Sequence, residues 1–104
     1  MDALTAEYDQ AVLQLIREWN AKRDPTFAVV WQPGSAVDIA NYPIEAVSDV
    51  DCFHPSSDAH GRLAAGFWNR YHLDLESKAA PITWDESIKV RCLEDGDRIK
   101  IPNL

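Results

Sequence analysis

At 104 residues, 46% hydrophobic and 26% charged, the chain has the length of one small domain and the composition of an ordinary folded one, so disorder is not the default. A formal charge of −7 argues against nucleic-acid binding, which needs clustered Lys and Arg, and supplies no polybasic segment for anionic lipid heads. No run approaches the roughly 18 apolar residues of a membrane span, and residues 1–7 carry neither the basic nor the apolar region of a signal peptide.

Residues 3–22 predict an amphipathic helix. Leu4, Tyr8, Val12, Leu15 and Trp19 recur every three or four residues, Ile16 widens the stripe, and the stripe is expected to face the core. Asp2 suits the cap position. Glu7 and Asp9 come early and Arg17, Lys22 and Arg23 late, as the helix dipole prefers, and Asp24-Pro25 stops the helix. Phe27-Ala28-Val29-Val30-Trp31 is short, β-rich and without alternation, which predicts a strand buried on both faces and in need of neighbours. Gln32-Pro33-Gly34-Ser35 ends it. Residues 34–50 read as a long loop with at most one turn of helix, leading into Asp51.

A second helix is expected after Pro55, capped by Ser56 or Ser57 and ending near Tyr71-His72. His60, Leu63, Ala64, Phe67 and Tyr71 share one face of it. Ala64, Ala65 and Gly66 leave room for a close neighbour. Beyond it, alternation in residues 88–92 and 98–101 around Asp95-Gly96 predicts a β-hairpin over 88–101, ended by Pro102. Cys52 and Cys92 form either one disulfide or two buried thiols. Trp19, Trp31, Trp68 and Trp84 are expected as core and edge packing.

The chemistry concentrates in Asp51-Cys52-Phe53-His54-Pro55-Ser56. A carboxylate three residues before an imidazole can fix its tautomer and stabilise its protonated form, if the loop turns tightly, and the imidazole then serves as a general base. Pro55 biases His54 toward extended backbone. Asp51, His54, Asp58 and His60 together also offer oxygen and nitrogen ligands that suit zinc.

This string, with His60 and Leu63-Ala64-Ala65-Gly66-Phe67-Trp68-Asn69 after it, resembles the last block of the GDSL or SGNH ester hydrolases, in particular their phospholipase B-like branch. The resemblance spans residues 1–72, as the C-terminal portion of that hydrolase domain, with 73–104 as an extension. It implies a three-layer α/β/α sandwich around a parallel sheet, with this chain supplying two main helices, one buried strand and a hairpin-like tail. It also implies carboxylic ester hydrolysis with phospholipid deacylation, no metal or organic cofactor, Asp51 as triad acid, His54 as general base, and structural positions for His60, Pro55 and Ser56 near the site. A lipid or other ester would be the substrate of the complete enzyme, and a secreted or membrane-exposed parent is implied. The family's Gly-Asp-Ser nucleophile block and Gly-x-Asn-Asp oxyanion block are absent. Ser35, Ser48, Ser56, Ser57, Ser77 and Ser87 are the serines present, none at a strand-to-helix turn. The chain therefore reads as a truncated, degenerate or split C-terminal segment, inactive by itself, whose bare strand is covered by a partner chain or a missing N-terminal portion. The alternatives are a non-catalytic interaction module derived from the hydrolase and a small zinc-binding domain.

Overall fold

The computed structural model describes residues 2–101. Helix α1 (Asp2–Asn20) forms where the 3.6-residue period is read and stops two residues short of the expected end. Its exit is a tight turn: Lys22 N–H donates to Trp19 O at 3.2 Å, Arg23 N–H donates to Asn20 O at 3.0 Å, and Arg23 takes a left-handed φ of 50°. Asp24 Oδ1 then accepts from the Thr26 N–H and hydroxyl, both at 2.7 Å. The expected cap, Asp2, lies outside the described side chains.

The apolar stripe of α1 does not face the core. Leu4, Tyr8, Val12, Leu15 and Trp19 are exposed, and the face turned inward carries Asp9, Leu13, Ile16 and Asn20. Polar ties fix this rotation. Asn20 donates from Nδ2 to Val29 O at 2.9 Å and accepts Val29 N–H on Oδ1 at 2.8 Å, while the Ser35 hydroxyl donates to Asp9.

The strand expected at 27–31 does not form: these residues carry no regular secondary structure and join no ladder. Among the described residues there are only two isolated bridges, Val37 with Ile82 (parallel) and Val47 with Pro55 (antiparallel). The segment is half-buried apart from exposed Phe27, and it is held by side chains: Asn20 from α1, and Gln32, whose Nε2 donates to Phe67 O at 2.9 Å. The hairpin at 88–101 also fails to pair. Its turn survives, with Asp97 N–H donating to Glu94 O at 2.9 Å, but other side chains take the groups its arms would share. Trp68 Nε1 donates to Arg91 O, Asn69 Nδ2 donates to Lys89 O, and Asn69 Oδ1 accepts Arg91 N–H, all at 2.7–2.9 Å. Pro102 lies outside the described residues.

Residues 34–46 hold three 3₁₀ turns, Gly34–Ala36, Ile39–Asn41 and Ile44–Ala46, where at most one turn of helix is expected. Helix α2 (Ser57–Tyr71) follows the expected bounds, with Ser56 Oγ accepting Ala59 N–H at 3.2 Å. A short helix that the periodicity does not signal, α3 (Leu75–Ala79), is capped by Asp74 Oδ1, which accepts Ser77 N–H at 2.9 Å. No helix of the described residues is long and apolar enough to cross a membrane. Cys52 and Cys92 are free and exposed, so neither the disulfide nor the buried-thiol reading holds. Trp19 and Trp68 are exposed, and Trp31 and Trp84 are half-buried.

What packs is small. Among the described residues, Pro33, Ala36, Ala46, Ala59, Ala65 and Ile82 are buried and apolar. Gly66 lets α2 approach Ile82 closely: a Cβ at this position would stand 2.9 Å from Ile82 Cγ2. Lys78 is buried, with 0% exposure, and its ammonium donates to the carbonyls of Leu73 and Lys100. The molecule exposes 7776 Å², where a compact monomer of this mass exposes about 5,900 Å².

Gly66→Ala is expected to lower unfolding stability by about 1–3 kcal/mol, because β-branched, buried Ile82 has little room to yield. Gly61→Ala, with open space around it, should raise stability by about 0.5–1 kcal/mol. Urea unfolding of the pair checks both signs. Burial holds the Lys78 ammonium below its ordinary value of 10.5, so the folded chain binds this proton less tightly than the unfolded chain. Its contribution to unfolding free energy should rise as pH climbs toward 10.5, and Lys78→Met should remove that part of the slope.

Candidate functional site

Asp51 and His54 sit in a loop whose two ends are tied together. Val47 bridges to Pro55, Ser48 N–H donates to His54 O at 2.8 Å, and Ser56 N–H donates to Ala46 O at 2.8 Å. Ala46 before the loop and Ala59 after it are both buried, so the loop is closed on packed ground. Inside it, Cys52 N–H donates to Ser48 O at 2.9 Å and Val50 N–H donates to Ser48 Oγ at 3.2 Å. Reversing the chain in so few residues puts Cys52 at a left-handed φ of 56°, a conformation disfavoured for residues other than glycine.

The turn brings the sequence-predicted pair together. Asp51 Oδ1 accepts the N–H groups of Phe53 and His54, both at 3.0 Å, and Oδ2 meets His54 Nδ1 at 2.5 Å. The His54 imidazole and then the two backbone N–H groups hold the Asp51 carboxyl below its ordinary 3.8. Ionised Asp51 only accepts hydrogen bonds, so Nδ1 is assigned as the protonated ring nitrogen. The opposite nitrogen, Nε2, then has a lone pair on a side chain that is 70% exposed. An imidazole so placed can exchange a proton with solvent or a bound group through Nε2.

The other candidates go elsewhere. His60 Nδ1 lies 3.0 Å from Ser56 O, within the first turn of α2. Asp58 pairs with Arg62 Nε at 2.9 Å. Asp51, His54, Asp58 and His60 thus do not converge, and among the described residues no group of three or more His, Cys, Asp or Glu is placed to hold a metal ion.

No serine hydroxyl bonds to the His54 ring among the described residues. Ser35, Ser77 and Ser87 donate to Asp9, Asp74 and Asp85, Ser48 accepts from Val50, and Ser56 caps α2. Two cavities, of ≈ 910 and ≈ 370 Å³, lie along α1 with the 29–40 region and α3, and neither is lined by Asp51 or His54.

The loop adds two features that spacing alone does not reveal. The Phe53 and His54 rings meet in a T-shaped pair with centres 5.0 Å apart, and Phe53 is 78% exposed. Val50, one residue before Asp51, is 90% exposed. The sequence signal available for both was an apolar residue inside a polar turn.

Comparison with protein-family models, with curated proteins and with solved structures found no match to this chain.

Asp51→Asn is expected to loosen the turn, raising amide hydrogen exchange at Phe53 and His54 while leaving α2 amides unchanged. Because the folded Asp51 pKa is lowered, the stabilisation from this turn is present above the ordinary value of 3.8 and is lost as pH falls through the lower folded value. A carboxyl-carbon NMR titration should place the Asp51 midpoint below 3.8.

Proposed function

We propose that this chain is the Asp–His-bearing C-terminal segment of a GDSL/SGNH ester hydrolase of the phospholipase B-like branch, with Asp51 as triad acid and His54 as general base. The observation that carries the reading is the contact of Asp51 Oδ2 with His54 Nδ1 at 2.5 Å, made by the motif that resembles the family's last block.

The chemistry of each residue follows from that geometry. Asp51 fixes the tautomer and stabilises the imidazolium that forms when Nε2 takes a proton. His54 takes the proton of a serine hydroxyl as the oxygen attacks the ester carbonyl, then returns it to the leaving alcohol. On this reading the serine and the oxyanion donors come from outside this chain, since among the described residues no serine hydroxyl bonds to the His54 ring and five of the six serines hold other partners. Exposed Val50 and Phe53 beside the pair suit an apolar acyl chain.

A second reading, a non-catalytic interaction module, is favoured by the exposed apolar stripe of α1, which is in want of a covering surface.

The chain alone is expected to show no turnover of p-nitrophenyl butyrate above that of free imidazole. Mixed with a phospholipase B-like hydrolase truncated just before its own Asp–His block, it should restore turnover. That turnover should fall about 10³–10⁴-fold with His54→Ala and stay within a few-fold with His60→Ala. Equal restoration by the His54→Ala chain would sink the hydrolase reading.

A further inference from the structure

We infer that the smaller of the two cavities along α1 binds a free apolar α-amino acid, with its carboxylate on Arg17, its ammonium on Glu76 and its side chain against the apolar wall. The inference is independent of the ester-hydrolase reading, since neither Asp51 nor His54 lines this cavity.

The cavity measures ≈ 370 Å³, within the range of about 300–1,000 Å³ typical of small-ligand sites. Three parts of the chain wall it. Leu13, Ile16, Arg17 and Asn20 come from α1, at spacings that put them on one face of the helix. Leu75, Glu76 and Ala79 come from α3, and Val29 and Trp31 from the segment that Asn20 ties to α1. Six of these nine residues are apolar. Leu13, Ile16, Val29, Trp31 and Ala79 are only half-buried and Leu75 is exposed, so a side chain laid against them gains by leaving water.

The polar groups of the wall select the rest of the ligand. The Asn20 amide is spent on the N–H and C=O of Val29. Arg17 and Glu76 are not spent: both line the cavity, and neither side chain has a hydrogen bond or an ion pair among the described residues. A cation and an anion on one small cavity, close to each other but unpaired, match a ligand that carries both charges itself. An α-amino acid has its carboxylate and ammonium on the carbon that also bears the side chain. A guanidinium takes a carboxylate through two parallel N–H donors, and a carboxylate accepts from an ammonium. A fatty carboxylate would bring its charge against Glu76, and an alkylamine would bring its charge against Arg17.

The test is calorimetric titration of the whole chain with L-leucine and L-phenylalanine, with amide NMR shifts to locate binding. Saturable binding of at least one is expected, with shifts at Leu13, Ile16, Val29 and Trp31. Leucinamide lacks the carboxylate and stands for the first residue of a peptide. N-acetyl-leucine lacks the ammonium and stands for the last. Each should bind about tenfold more weakly or worse than leucine. Arg17→Gln should weaken leucine about tenfold and leave leucinamide unchanged, and Glu76→Gln should weaken leucine and leave N-acetyl-leucine unchanged. No saturable binding of either amino acid up to about 10 mM overturns the inference. So does equal binding of leucinamide or N-acetyl-leucine, tighter binding of octanoate, or full affinity for leucine in either folded variant. Should a variant fail to fold, the ligand series on the unmodified chain decides.

Discussion

Ile82 is the residue on which the packing depends. Its N–H donates to Ala36 O at 2.7 Å, and its C=O accepts both Asp38 N–H at 3.1 Å and the Tyr42 hydroxyl at 2.7 Å. Its side chain fills the space that Gly66 leaves on α2, and Arg70 ties the same turn of helix to Pro81 O. One 2% exposed residue thus joins α2, through its side chain, to the 3₁₀ turns, through its backbone. The other buried apolar side chains among the described residues are Pro33 and four alanines, which withdraw little apolar surface from water. Side-chain-to-backbone hydrogen bonds accordingly do much of the joining that apolar packing does in a larger core.

This balance explains which local signals survive. Helix α2 carries its own cap, and its sequence reading and its structure agree in bounds; of the small residues expected to meet a neighbour, Ala65 and Gly66 are buried and Ala64 is exposed. The arms at 88–92 and 98–101 alternate as strands do. Yet Trp68, Asn69 and Lys78 offer side-chain partners for their backbone groups, and a two-stranded hairpin is marginal without packing of its own. Helix α1 shows the same competition. Its strongest apolar stripe is left in solvent because Asn20 and Asp9, on the neighbouring face, hold the segments that follow.

The loop at 47–55 behaves differently from the rest of the surface. It is short, bridged at its neck and internally bonded through Ser48 and Asp51, so the Asp51–His54 geometry needs nothing from the weakly packed parts of the molecule. An acid–base pair that is local in sequence can persist where a site assembled from distant elements would not. Its exposure has a chemical cost as well. With the His54 side chain 70% exposed, water screens the charge of the pair.

The sequence by itself determined what depends on near neighbours. The period of α1, the Ser56 cap and bounds of α2, the Glu94–Asp97 turn and the Asp51–His54 contact each arise within a few residues, from spacing, capping and turn chemistry. Tertiary structure alone decided which face of α1 docks, whether residues 27–31 find a ladder, and whether Cys52 and Cys92 meet. It also scattered Asp58 and His60 away from His54. Those outcomes turn on competition between partners far apart in the chain: Asn20 against the apolar stripe, Asn69 and Trp68 against the opposing hairpin arm, Arg62 against a shared ligand site. A one-dimensional pattern records what each residue offers, and only the folded arrangement decides which offer is taken.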